Sequence, residues 1–217
     1  MPTGDTGAHG PAGAGTQVRG SSGSAQEPLD PGMPPLELGP PGPGDGAPME
    51  RLARESGGLD VNSGYAYLLW CRDFADTSVV ARAGGRLAGF ITGYRRPAAP
   101  DTLFVWQVAV GPDHRRRGLA SRMLGHLAET VRAEGVRFVE ATVTPGNKAS
   151  MHLFESFAKR SGSDLTRDVL FSEHELGSGH EPEVLQRIGP LARPVGEAGG
   201  PLARPSDPRG AEGRVRS

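Results

Sequence analysis

The residues in this 217-residue chain best suited to chemistry lie in the run Arg115-Arg116-Arg117-Gly118-Leu119-Ala120. Three guanidinium groups supply positive charge, and glycine lets a ligand approach the backbone closely. A helix start adds unpaired N–H groups aimed outward, so a turn of this kind suits a phosphate or pyrophosphate. The elements that must position it are legible on both sides. Leu103 to Val110 is an apolar, β-branched and aromatic run stopped by Gly111-Pro112, which predicts a buried strand. From Gly118 the residues Leu119, Ala120, Met123, Leu124, Leu127, Ala128 and Val131 recur at helical spacing, and Gly135 supplies a stop.

The same alternation of elements extends outward. Leu36 to Leu38 reads as a first strand, Asp45 as the cap of a helix carrying Met49, Leu52 and Ala53, and residues 63 to 72 as a second helix behind Asp60 and Asn62, where the aromatics also allow a strand. Residues 78–82 and 87–94 form a hairpin at Gly84-Gly85. Residues 138–144 make a strand ended by Pro145-Gly146, and Asn147 caps a helix with Met151, Phe154 and Phe157 on one face. Residues 165–171 and 184–188 supply late strands. A strand, helix, strand order implies a parallel crossover, and the whole predicts one α/β domain with a mixed sheet.

Composition sets the limits. Of 33 Gly and 20 Pro, many fall in residues 1–34 and 191–217, where large apolar side chains are scarce. Such segments cannot bury enough surface to offset the entropy of ordering, so the expectation is two disordered tails around a domain at 35–190. A formal net charge of −1 gives no global preference for nucleic acid or an anionic membrane. No apolar run reaches the ~20 residues that span a bilayer, so a cytoplasmic location is expected. The single cysteine, Cys71, excludes an internal disulfide and sits in an apolar run that predicts burial. Six scattered histidines with no HExxH and no cysteine pair predict no metal.

The run Arg115, Gly118, Ala120 resembles the R/Q-x-x-G-x-G/A motif of the GCN5-related N-acetyltransferases. The segment Asn147, Ser150, Leu153, Phe154 resembles that superfamily's N-x-x-A/S-x-x-L-Y pattern, with phenylalanine at the usual tyrosine. The resemblance implies that superfamily's α/β fold: a mixed, mostly antiparallel sheet with splayed fourth and fifth strands and helices on both faces. It also implies acetyl-CoA as cosubstrate, held by Val108, Val110, Arg115, Arg116, Arg117, Gly118, Leu119, Ala120 and Asn147. A tyrosine at position 154 could protonate the departing thiolate; Phe154 has no proton to give.

Four further segments narrow the resemblance: LDVNSGYAYLL at 59–69, DTLFVWQVAV at 101–110, TVTPGNKAS at 142–150 and GHEPEVLQRIGP at 179–190. Together they resemble the diaminobutyrate acetyltransferase family of ectoine biosynthesis, over roughly residues 36 to 191. This implies a small amino acid acceptor bound by Asp60, Tyr65, Trp106, His180 and Glu183, and a homodimer. Glu183, His180 or a water chain would take the proton from the attacking amine, and the Val110 N–H would stabilise the oxyanion. The residues alone leave other readings open. Asp60 is equally a turn cap, Trp106 equally core, and His180 and Glu183 equally members of a solvated loop. Glu140, on the fifth strand, is an alternative base. A non-catalytic acyl-CoA-binding module and an acetyltransferase for another amine are the competing functions.

Overall fold

The structure, a computed structural model, describes residues 25–26, 34–57, 59–177 and 179–191. The expected disorder at 1–34 and 191–217 falls almost wholly outside them. Within that range an eight-stranded sheet has the order β1-β2-β3-β4-β5-β6-β8-β7. Its strands are β1 (Ala25–Gln26), β2 (Leu36–Gly39), β3 (Val79–Ala83), β4 (Arg86–Arg96), β5 (Ala99–Val110), β6 (Phe138–Val143), β7 (Leu165–Phe171) and β8 (Glu183–Ile188). Only β5 and β6 pair in parallel; every other neighbouring pair is antiparallel. With the two-residue β1 set aside, β5 and β6 are the fourth and fifth strands that the sequence marks.

Helices cover both faces because the strands alternate between two cores. On one face α3 (Leu119–Ala133) and α4 (Lys148–Ser161) pack over Val79, Ala81, Ile91, Leu103 and Val105. On the other, α1 (Gly46–Ser56) and α2 (Gly64–Asp73) bring Met49, Leu52, Tyr67 and Cys71 against Val80, Phe90 and Ala109. Helix α3 buries Leu119, Met123, Leu124, Leu127, Ala128 and Val131, the stripe predicted from spacing. Each such large side chain contributes about 1.5–3 kcal/mol by leaving water. A short helix α5 (Glu173–Leu176) lies between β7 and β8. The hairpin turn holds Gly84 and Gly85 at φ 55° and 75°, the left-handed pair that a two-residue connection requires.

Two local expectations are revised. Asp45 does not cap α1 with its side chain. A 3₁₀ turn at Pro43–Asp45 precedes the helix, and the carboxylate instead accepts from the Gly42 N–H (2.7 Å) and pairs with Arg82 (2.5 Å). Leu191, read as the first residue of the tail, is buried, and its N–H donates to the Arg137 carbonyl at 2.7 Å. Cys71 is buried beside Met49, and desolvation, with the nearby charge of Asp45, pushes its thiol up to about 11. It is a packing residue, kept from the thiolate form that reacts.

Candidate active site

Strands β5 and β6 pair over only three residues, where Thr102 faces Phe138, Leu103 faces Val139 and Phe104 faces Glu140. Beyond that point β5 continues along β4 to Val110, while Ala141 to Val143 follow β8. The sheet therefore forks, and the opening lies between the two arms. Glu140 sits at the vertex, 1 % exposed, with one carboxylate oxygen bound by Arg96 (2.8 Å) and the other by Arg187. Both oxygens are committed to guanidinium groups, so Glu140 is a strut joining β4, β6 and β8 and not the alternative base.

Strand β5 changes the face it presents halfway along. Thr92 of β4 faces Gln107 and Gly93 faces Val105, so Trp106 is an extra residue with no partner, a β-bulge. Strict alternation would send Val105 and Gln107 to the same side. The bulge instead leaves Leu103 and Val105 in the core under α3, whereas Gln107 bonds Tyr67 and Ala109 packs in the core under α1 and α2. Val108 and Val110 are thereby turned back towards the α3 side, where both line a cavity. Trp106 is 52 % exposed and stacks on Trp70, ring centroids 6.4 Å apart, within an aromatic row continued by Phe74, Tyr94 and Phe104.

That cavity, of about 570 Å³, is closed by the end of β5, the turn into α3 and the start of α4. Its lining includes Val108, Val110, Arg115, Arg116, Gly118, Leu119, Ala120 and Asn147, which are eight of the nine residues marked for a phosphorylated cofactor. Arg117 lines the adjoining open basic hollow with Arg115 and Arg116. Gly118 takes φ 74° immediately before α3, and Arg116 takes φ 59°, a left-handed conformation costly for a side chain. Such turns gather N–H groups around an anion. A Cβ on Gly118 would meet nothing within 4 Å, so the space above the helix start is free for a ligand. Arg115 is exposed and bonded to backbone: its Nε donates to the Val110 carbonyl at 3.2 Å and its Nη2 to the Ser56 carbonyl at 3.5 Å. These bonds brace the end of β5 and hold Arg115 at the rim of the cavity.

The Gly111 N–H donates to the Ala88 carbonyl at 2.8 Å, and two residues back Ala109 faces Phe90. Bonding in an antiparallel ladder alternates, so the N–H groups of Val108 and Val110 point away from β4 into the fork. These are donors suited to an acyl carbonyl in the opening. Asn147 caps α4 by accepting from the Ser150 N–H at 3.0 Å, and Phe154 is buried in the core beneath.

The marked acceptor residues fall into two groups. Asp60 lies in the loop ahead of α2, Tyr65 is 70 % exposed on the first turn of α2, and Trp106 is on β5, stacked on Trp70 of α2 and next in sequence to Gln107, which bonds the Asp60 carbonyl. The Asp60 backbone is fastened to β5 through Gln107, and Leu59 reaches the cavity. His180 and Glu183 belong to the opposite arm: His180 is in the exposed loop before β8, and Glu183 opens β8 opposite Phe171. The neighbouring Glu181 accepts from the Gly146 N–H at 2.8 Å, tying that loop to the turn that carries Asn147. Among the described residues no hydrogen bond or ion pair joins the two groups. Sequence reasoning missed Trp70, Tyr67, Gln107 and Glu181. Of these only Gln107, a polar residue inside an apolar strand run, carried a local signal. Among the described residues, no group of His, Cys, Asp and Glu could hold a metal ion, and no helix is long and apolar enough to cross a membrane.

Residues 49–158 match the family model described as the acetyltransferase (GNAT) family. The chain is 54% identical over 160 residues to an L-2,4-diaminobutyric acid acetyltransferase of Streptomyces coelicolor, an alignment covering 72% of this chain and 94% of that protein. With the protein of the same name from Shouchella clausii it shares 44% over 159 residues, 73% of this chain and 89% of the relative. Among solved structures it is similar to diaminobutyrate acetyltransferase EctA from Paenibacillus lautus in complex with its substrate L-2,4-diaminobutyric acid and coenzyme A. There the TM-score is 0.69 and the identity 40%, covering 74% of this chain and 98% of that one.

Proposed function

The chain belongs to the acetyltransferase (GNAT) family, and within it to the L-2,4-diaminobutyric acid acetyltransferases; on that premise we propose that it transfers the acetyl group of acetyl-CoA to the 4-amino group of L-2,4-diaminobutyrate. The product is N4-acetyl-L-2,4-diaminobutyrate, in the ectoine pathway. The observation that carries the reading is the forked sheet: a pyrophosphate cradle and two inward N–H groups on one side of β5, and an exposed tryptophan on the same strand beside the Asp60 loop.

The cradle at 115–120 and the Asn147 turn take the cofactor's phosphates, and the Val110 N–H takes up negative charge building on the carbonyl oxygen. A neutral amine attacks the thioester carbon, a C–N bond forms, the C–S bond breaks and CoA leaves as the thiolate. The amine is mostly protonated at neutral pH, so it must lose a proton first; Glu183 and His180, from the far arm, are the candidate bases. Asp60 and Glu183 offer carboxylates to the ammonium groups, and Trp106, backed by Trp70, offers an apolar wall or a ring face for a cation. Since Phe154 is sealed in the core, the thiolate is protonated by another group or by solvent.

Purified protein given acetyl-CoA should release thiol rapidly with L-2,4-diaminobutyrate and at least tenfold more slowly with lysine or a peptide amine, a ratio of about 1.4 kcal/mol in transition-state stabilisation. Release that is equally fast with all amines would reassign the acceptor, and no release with any amine would leave the binding-module reading.

The reading includes a cytoplasmic location, where acetyl-CoA is supplied, and a homodimer. Supporting the dimer, β7 ends the sheet with Val169, Leu170 and Phe171 exposed, 62 %, 40 % and 45 %, and Leu176 follows at 37 %. An apolar edge strand of this kind invites pairing. Sedimentation equilibrium should give twice the chain mass at micromolar concentration; monomer mass throughout would rule the dimer out.

A further inference from the structure

We propose that Gln107 is a positioning residue for the amino acid acceptor, holding the loop that carries Asp60 against the strand that carries Trp106. The proposal rests on the acceptor reading above.

Gln107 is 5 % exposed, and both ends of its amide are used. Its Nε2 donates to the Asp60 carbonyl at 2.8 Å, and its Oε1 accepts from the Tyr67 hydroxyl at 3.2 Å. The orientation is forced by chemistry. A carbonyl only accepts, so the amide nitrogen must face Asp60, which leaves the oxygen for the Tyr67 proton. Tyr67 is fully buried in the core under α1 and α2, with its ring edge-on to Phe90, so the chain of bonds ends on a rigid anchor. The bulge at Trp106 makes this possible, since without it Gln107 would face α3 and the loop would have nothing to fasten to.

The consequence follows from what the loop presents. Its neighbour Leu59 lines the cofactor cavity, Asp60 follows, and Ser63 caps the helix bearing Tyr65. Exposed loops with few buried contacts move readily unless tied down. One buried amide therefore sets the distance between the Asp60 side and the Trp106 side of the acceptor pocket, without itself touching the acceptor.

Gln107→Met keeps the volume and removes both bonds. The expected result is an amine KM raised about tenfold, as suits one or two lost buried hydrogen bonds, with the acetyl-CoA KM within about twofold of wild type. Tyr67→Phe leaves the bond to Asp60 intact and should raise the amine KM by only about threefold. It also carries the test if the methionine variant does not fold. Hydrogen exchange by mass spectrometry should show faster exchange at residues 59–63 in Gln107→Met, with α3 unchanged. An unchanged amine KM, or an equal rise in both KM values, would overturn the proposal and point to packing alone. Should the wild-type chain not turn over diaminobutyrate, the functional reading fails instead, and unchanged exchange at 59–63 would then overturn the clamp separately.

Discussion

Replacing Gly118 by aspartate should weaken acetyl-CoA binding by about a hundredfold while leaving the melting temperature within about 3 °C of wild type. The backbone there is left-handed at φ 74°, which aspartate tolerates better than most residues, and nothing lies within 4 Å of the new Cβ. A carboxylate beside the first turn of α3 also meets the favourable end of the helix dipole. Small terms of opposite sign leave stability nearly unchanged. The ligand sees something different. A carboxylate about 5 Å from a phosphate repels it by roughly 3 kcal/mol at an effective dielectric of about 20, close to two decades of affinity. Isothermal titration with CoA and a thermal melt separate the two effects. Equal affinity in wild type and Gly118→Asp would mean that the phosphates do not lie at this helix start.

Gly93→Ala should destabilise the domain by roughly 3 kcal/mol, lowering its melting temperature by about 6–12 °C. A Cβ at Gly93 would come within 2.9 Å of the Phe104 and Thr77 carbonyl oxygens and 3.2 Å of the Leu103 Cδ1. Two of those contacts are backbone and cannot turn aside. Gly93 is also held in place, its N–H donating to Ser78 Oγ at 3.3 Å and its carbonyl accepting from Thr77 Oγ1 at 2.6 Å. It lies opposite Val105, at the residue where the bulge begins. The strand must shift where it sets Trp106 and Gln107, so the surviving protein should also need more amine. Gly125→Ala is the matched control: it sits inside α3 with open space around it and should be neutral or stabilising by about 1 kcal/mol. A melt of Gly93→Ala that overlays the control would refute the packing argument.

What was legible in the sequence was mostly local chemistry. The stripe along α3, the glycine pair in the hairpin, Asn147 at the head of α4 and the basic turn before α3 each depend on residues a few positions apart, and each appears where expected. The fork followed from the order of elements together with the resemblance those motifs carried. What escaped depends on partners far along the chain. Glu140 reads as a free carboxylate until Arg96 and Arg187, 44 and 47 residues away, close on it. Asp45 reads as a cap until Arg82 draws it off. Arg115 matches a phosphate-binding motif, yet its guanidinium bonds two carbonyls.

The bulge is the instructive case. Period-two reading assigns Trp106 and Gln107 to opposite faces and gives Gln107 the face of Val105. A single unpaired residue reverses that assignment for the rest of β5. The reversal sends Gln107 to Tyr67 and the Asp60 loop, and turns Val108 and Val110 to the cofactor cavity. On the proposed function one strand would thereby serve donor and acceptor on different sides, an arrangement that no alternating pattern in LFVWQVAV announces.

The central claim concerns which nitrogen receives the acetyl group, and NMR of the product made from acetyl-CoA and L-2,4-diaminobutyrate addresses it most directly. Acetylation at the 4-amino group shifts the protons on carbon 4 downfield and leaves the proton on carbon 2 nearly where it was. A single product with that pattern is the predicted result. Acetylation at the 2-amino group, a mixture of the two, or no acetylated amino acid at all would contradict the account.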